Sequence, residues 1–305
     1  MSKSNNHCGY AAIVGRPNVG KSTLLNRLLG FRLAITSHKA QTTRHTILGI
    51  NTLAGGQVIY VDTPGIHQRS DNAMNRYLNR TAKTALADVD LLIFVVEALS
   101  WNSEDEKVLT LIKQVETPTI LAVNKVDRVK QKERLLPYLS EISSRHHFIE
   151  IVPLSAKNGK NLDTLQELVL RALPEAVNFY PEDQLTDRPE KFFAAEMIRE
   201  QITRRYAKEL PYAVSVEIER FEELSGLYRI NAVIWVEKAG QKGILIGKDG
   251  QALKEVATQA RKAMQQFFDC KVHLELWVKV KKSWSSDEAA LIRLGYGETQ
   301  QGRPD

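Results

Sequence analysis

The sequence predicts an α/β domain built on a doubly wound sheet, followed by a smaller α+β domain. Three observations carry that prediction. Strand-length apolar runs alternate with helical spacing through the first 175 residues. A glycine-rich loop, Gly15-Arg16-Pro17-Asn18-Val19-Gly20-Lys21-Ser22, joins the first run to the first helix. After a proline-rich break at residues 174–189, the order of elements changes.

Strands are expected near residues 10–14, 47–54, 58–61, 90–96, 119–124 and 149–154. Tyr10 to Val14 is a short apolar run suited to a buried parallel strand, and Leu24, Leu25, Leu28 and Leu29 repeat at helical spacing before the stop signal Gly30. Leu91 to Val96 is the longest strongly apolar stretch; at roughly a quarter of a membrane span it reads as a buried strand. Ser103-Glu104-Asp105-Glu106 precedes Val108, Leu109 and Ile112 as a helix start of the capping-box type, and Leu162 to Leu173 closes the domain with a last helix. Sheets of this kind bind ligands beyond the carboxyl ends of their strands.

The loop from Gly15 to Ser22 has the form G-x-x-x-x-G-K-S. Its backbone N–H groups cradle phosphates, Lys21 reaches the β and γ oxygens, and the Ser22 hydroxyl ligates Mg²⁺. Asn124-Lys125-Val126-Asp127, on a separate strand end, chooses the base. A carboxylate at Asp127 accepts from both N1–H and the exocyclic amine of guanine, and it repels adenine, whose matching edge offers an acceptor. Asn124, Lys125 and Val126 shape that pocket. Ser155-Ala156-Lys157 presents backbone N–H to the guanine carbonyl oxygen. In Asp62-Thr63-Pro64-Gly65, Asp62 holds Mg²⁺ through a water and the Gly65 N–H meets the γ-phosphate. Gln41-Thr42-Thr43-Arg44 supplies a further Mg²⁺ ligand from a γ-phosphate-sensing segment, with Thr43 the first choice and Thr42 the second.

Residues 8–175 resemble the GTPase domains of the translation-factor-like, Ras-related superfamily, which implies hydrolysis of GTP to GDP and phosphate with Mg²⁺. Lys21, Thr43, Asp62, Gly65 and Asn18 are the candidate catalytic residues. One departure matters: where many such GTPases carry a Gln that orients the attacking water, this chain has Ile66, so slow intrinsic hydrolysis is expected. In related GTPases an Asn at the position of Asn18 helps to bind K⁺, whose charge serves the transition state. Either that role or simple stabilisation of the loop fits Asn18 here.

Beyond the linker, residues 176–190, the expected order is helix (191–208), strand (212–221), strand (227–237), glycine-rich loop, helix (250–268) and strand (271–281). Ile244-Leu245-Ile246-Gly247-Lys248-Asp249-Gly250 places Gly-x-x-Gly between an apolar segment and a helix, the clamp by which KH domains grip about four single-stranded nucleotides. From Lys191 to Lys282 there are 17 Lys and Arg against 12 Asp and Glu, so five of the chain's six net positive charges lie here. A polyanion partner follows. Ile244 and Ile246 either pack on bases or fill the core, with core favoured for at least one. Lys281 and Lys282 extend positive charge off the last strand, and Trp284 either stacks on a base or anchors the fold. A short helix is expected within 285–295, and residues 1–7 and 297–305 read as flexible termini.

At 305 residues and 43% apolar composition, both domains can build cores. Cys8 and Cys270 are too few for a disulfide or metal framework and read as reduced thiols. The N-terminus lacks an apolar signal core, which points to the cytoplasm.

Across residues 8–296 the chain resembles the Era family of bacterial GTPases, through Gly15–Ser22, Gln41-Thr42-Thr43-Arg44-His45, Asp62–Ile66, and Gly247–Gly250 in a C-terminal module of KH type 2. The resemblance implies binding to the 3′ end of 16S ribosomal RNA, assistance in assembly of the 30S subunit, peripheral association with the inner membrane, and a monomeric state. The rival expectations are an RNA-modifying GTPase acting on tRNA and an RNA-binding scaffold that nucleotide merely stabilises.

Overall fold

The computed structural model describes residues 6–35, 44–63, 73–206 and 210–292. The chain forms two compact units, the main division falling between Asp187 and Arg188.

The first unit runs β1 (His7–Val14), α1 (Lys21–Leu29), β2 (Ile47–Leu53), β3 (Gly56–Asp62), α2 (Ala73–Ala87), β4 (Leu91–Glu97), α3 (Ser103–Ile112), β5 (Thr119–Asn124), α4 (Leu135–Ser143), β6 (Glu150–Pro153) and α5 (Leu162–Ala172). Its sheet has the order β2-β3-β1-β4-β5-β6. All neighbours are parallel except β2, which lies antiparallel to β3 at one edge. The apolar runs behave as expected of strands covered on both faces: residues 91–96 are wholly buried, and Phe94 packs edge-on against Trp101. In consequence β1, β3, β4 and β5 end on Val14, Asp62, Glu97 and Asn124, side by side along one rim.

Three expectations are corrected. The capping residue of α3 is Asn102 rather than Ser103: its side chain accepts from the Glu104 and Asp105 N–H groups, and Asp105 returns a bond to the Asn102 N–H at 3.0 Å. His7 belongs to β1, and Asn6 Nδ2 donates to Ala176 O at 2.8 Å, so neither is part of a loose terminus. The stretch expected as linker is instead fastened to the first unit as far as Asp187. Buried Gln57 accepts from the Phe179 and Tyr180 N–H groups at 3.1 and 3.0 Å. Along β2, the Ile50 N–H donates to Leu185 O at 2.9 Å and the Leu48 N–H to Asp187 Oδ1 at 3.2 Å. The physical reason is that β2 is an edge strand whose outward N–H groups need acceptors.

The second unit runs α6 (Glu190–Arg205), β7 (Val214–Leu224), β8 (Leu227–Val236), α7 (Ala239–Ile246), α8 (Gln251–Phe268), β9 (Lys271–Val280) and the short α9 (Glu288–Leu291). β7 and β8 form a hairpin around Ser225-Gly226, with Gly226 at φ 71°, and β9 pairs parallel with β8 after a crossover through α7 and α8. α8 buries Ala252, Val256, Ala260 and Met264, one stripe at helical spacing. A further difference appears here: residues 239–246, expected as loop because of Gly240 and Gly243, are helical. Gln241 Oε1 accepts from the Glu237 and Lys238 N–H groups, both at 2.9 Å, and so starts the turn. Trp284 is fully buried, which settles it as an anchor. Leu245 fills the core while Ile244 is 56% exposed, so the core residue of that run is the one between the two isoleucines. Among the described residues, no helix is long and apolar enough to cross a membrane.

Candidate functional site

The loop after β1 is shaped by residues that tolerate a left-handed backbone. Gly15 (φ 150°) lies so close to β4 that a Cβ would sit 2.4 Å from Val95 O, and at Gly20 (φ 107°) a Cβ would meet Asn124 Nδ2 at 2.4 Å. Asn18 adopts φ 65° with its side chain exposed. Lys21 Nζ folds back over the loop, donating to Gly15 O at 2.9 Å and Arg16 O at 3.0 Å. Burial pushes its pKa down to about 8, against the opposing pull of the Asp62 carboxylate, while Arg16 adds to the lowering. Ser22 Oγ donates to Asp62 Oδ2 at 3.3 Å, and Thr63 Oγ1 to Ile13 O at 3.2 Å. A hydroxyl and a carboxylate set side by side are hard oxygen donors of the kind that holds Mg²⁺ while leaving it several waters. Thr42, Thr43, Pro64, Gly65 and Ile66 lie outside the described residues.

Asn124 joins the phosphate side to the base side. Its Nδ2 donates to Val19 O at 2.8 Å, and its Oδ1 accepts from the Lys125 N–H at 2.7 Å and the Ala156 N–H at 3.0 Å. The expected role of Ala156 is therefore qualified: a guanine oxygen would share the Ala156 proton with Asn124. Ser155 Oγ donates to Asp127 Oδ1 at 2.6 Å and holds that carboxylate in place. Arg27, at the far end of α1, donates to Lys157 O at 2.7 Å.

Arg16 is expected to serve the cradle through its backbone N–H, which leaves its side chain for other partners. Its side chain turns away from the loop to buried Asp105, with Nε 2.9 Å from Oδ2, and Nη2 donates to Ser100 O at 3.3 Å. Only its backbone is left facing the cradle. Sequence reading gave Asp105 a place in a helix cap alone, and it missed Glu97 and Arg27, neither of which belongs to a local motif.

In the second unit, α7 ends at Gly247 (φ 71°, ψ −178°) and α8 begins after Gly250 (φ 75°, ψ 4°). Lys248 and Asp249 stand exposed between them, Asp249 at φ 51°. The Gly247 N–H closes on Gly243 O at 2.9 Å, and the Tyr206 hydroxyl donates to Ile244 O at 3.3 Å, so the turn is tethered on its α7 side. Lys282 is exposed and Lys281 half-buried, its Nζ lying 5.9 Å from the Trp235 ring centre.

A phosphate cradle between strand and helix, with acidic and base-reading residues on neighbouring strand ends, defines a P-loop GTPase; the Gly-x-x-Gly turn between two helices beside a three-stranded sheet defines a KH domain. Residues 10–125 match the family described as 50S ribosome-binding GTPase, and residues 209–285 match the KH domain family. GTPase Era of Glaesserella parasuis serovar 5 is 53% identical over 297 residues, covering 97% of this chain and 99% of that protein. The chain belongs to the Era family of GTPases. GTPase Era of Pseudomonas aeruginosa strain LESB58 is also 53% identical, with 97% of each chain covered. A crystal structure of an Aquifex aeolicus Era variant bound to GDP and aluminium fluoride superposes with TM-score 0.92 at 38% identity, covering 96% of this chain and all of that one. Era in complex with MgGDPNP and nucleotides 1506–1542 of 16S ribosomal RNA gives TM-score 0.92 at 37% identity, with the same coverage.

Proposed function

We propose that this chain is a nucleotide-gated switch whose GTPase unit controls the grip of its KH domain on the single-stranded 3′ end of 16S ribosomal RNA during assembly of the 30S subunit. The observation that carries it is the exposed Gly-Lys-Asp-Gly turn at the start of α8, in a chain that holds five of its six net positive charges between Lys191 and Lys282. The relative solved with both MgGDPNP and that RNA supports the same reading.

In this reading the Gly15–Ser22 N–H groups and Lys21 hold the triphosphate, and Ser22, Thr43 and Asp62 hold Mg²⁺. Asp127 reads the base, with Asn124, Lys125 and residues 155–157 shaping its pocket, and Gly65 meets the γ-phosphate. Bound Mg²⁺ supplies charge neutralisation between the β and γ oxygens. Water attacks the γ phosphorus and the bond to the β–γ bridging oxygen breaks, with Lys21 stabilising the charge that builds on the leaving GDP. The Ile66 side chain has no polar atom with which to orient that water, so the assignment includes K⁺ held at Asn18. A higher turnover in potassium than in sodium, abolished by Asn18→Ala, is the expected outcome. On the RNA side, Ile244, Ile246, Gly247, Lys248, Asp249, Gly250, Lys281 and Lys282 form the contact. A cytoplasmic location with peripheral contact to the inner membrane belongs to the same proposal, and its support is the net charge of +6 against anionic lipid.

Affinity for a pyrimidine-rich 16S RNA 3′ end should differ between protein loaded with a non-hydrolysable GTP analogue and protein loaded with GDP. Equal affinities remove the switch, because linkage then leaves no coupling between the two ligands.

A pH effect follows from Lys21. Its folded pKa of about 8 lies below the ordinary lysine value of 10.5. Between those values the unfolded chain binds the proton and the folded chain does not, so nucleotide-free stability rises with pH across that window. Phosphate oxygens would restore the charge. Calorimetry of GDP binding at about pH 8.5 should therefore show uptake of roughly half a proton or more, seen as a dependence of the heat on buffer ionisation enthalpy; no dependence contradicts the placement of Lys21 against phosphate.

A further inference from the structure

Glu97 ends β4 directly opposite Asn124 at the end of β5, and it belongs to none of the nucleotide motifs. Two cations from those motifs, Arg16 and Lys125, and a third from Arg128 just past the second motif converge on its carboxylate. Lys125 Nζ lies 2.6 Å and Arg16 Nη2 3.7 Å from Oε2, and Arg128 Nη1 lies 3.8 Å from Oε1. The same Lys125 Nζ donates a second bond, at 2.8 Å, to the carbonyl of Asn18 in the phosphate loop.

Both ends of that second bond are conformationally costly. Asn18 and Lys125 each sit at φ 65°, in the left-handed region, where a residue with a side chain persists only if its surroundings over-determine it. The ammonium is what joins them, and Glu97 is what holds the ammonium. Backbone contacts fix Glu97 in turn: the Ala98 N–H donates to Asn124 O at 2.8 Å, and the Tyr138 hydroxyl donates to Glu97 O at 3.3 Å. The side chains of Lys125 and Glu97 are 18% and 24% exposed, so solvent screens this pair less than an open surface pair.

We propose that Glu97 is a positioning residue for nucleotide retention: by holding Lys125 Nζ on the Asn18 carbonyl, it sets the spacing between the loop that grips phosphate and the loop that reads the base. The inference rests on the nucleotide site assigned above. Arg16 and Arg128 share the carboxylate at longer range and leave the short bond to Lys125 as the main line of action.

The test is the rate at which fluorescent GDP leaves the full-length chain when chased with unlabelled GDP. Glu97→Gln keeps the shape and an acceptor oxygen but removes the charge, and it should raise the dissociation rate about 10-fold, leaving association within about twofold. A merely structural role would act independently of Lys125. Positioning through Lys125 predicts instead that Lys125→Met gives a comparable rise and that the double variant exceeds the larger single effect by no more than about twofold. An unchanged rate in Glu97→Gln, or effects that multiply in the double variant, overturns the proposal. If Glu97→Gln does not fold, Glu97→Asp, which keeps the charge one methylene shorter, should give a smaller rise in the same direction, and no rise overturns it equally. Failure of the unsubstituted chain to retain GDP overturns the nucleotide assignment itself, a different result from retention that ignores Glu97.

Discussion

Asp127→Asn should convert the chain from a protein that selects GTP to one that selects xanthosine triphosphate. In the proposed site the carboxylate would meet two donors on guanine, N1–H and the amine at C2, and an amide at the same place would present its own N–H to that amine. Xanthine carries a carbonyl at C2, and the amide suits it. Ser155 Oγ already donates to Asp127 Oδ1 at 2.6 Å, so Asn at this position keeps its oxygen toward the serine and its nitrogen toward the base. Losing a charge-assisted pair and leaving two donors facing each other should cost about 4 kcal/mol, roughly a thousandfold in GTP affinity. Competition of GTP, xanthosine triphosphate and ATP for the variant checks this. Undiminished GTP binding would remove Asp127 from the base site.

The next largest effect is expected at Gly247→Ala. With φ 71° and ψ −178°, Gly247 occupies a region open essentially to glycine alone, and a Cβ there would stand 2.6 Å from the Ala252 Cβ on α8. Backbone strain and overpacking together should lower the stability of the second unit by about 3 kcal/mol. The clamp would open with it, and RNA affinity should fall about 100-fold. Gly250→Ala is the control. Gly250 has φ 75° and ψ 4°, a left-handed conformation in which an added Cβ would meet nothing within 4 Å, so its cost is that of the left-handed backbone alone, about 1 kcal/mol. Equal thermal midpoints and RNA affinities for the two variants would show that the clash at Ala252 does not shape the turn.

Much of the nucleotide site was legible because each motif is short and carries its own chemistry: Gly15 to Ser22 announces a cradle before any contact is known. What stayed hidden depends on partners far along the chain. Arg16 reads as a loop residue until β4 and α3 bring Ser100 and Asp105 beside it, 84 and 89 positions later. Glu97 looks like the last residue of an apolar strand, and only the neighbouring end of β5 makes it a meeting point of cations. The helix at 239–246 was obscured by Gly240 and Gly243, whose low helix propensity is outweighed by the Gln241 cap and burial of Leu245. Asn102 and Ser103 are both good capping types, so composition could not choose between them. Residues 176–187 lack periodicity because they are held largely through backbone groups, which leave almost no mark in side-chain pattern.

The antiparallel strand β2 would, left bare, offer a seven-residue template to any passing extended chain. The molecule seals that seam with its own residues 185–187. An excised GTPase fragment cut at residue 175, where the helical pattern closes, would discard the seal and invite polymerisation. A fragment carried through Asp187 keeps the margin hemmed.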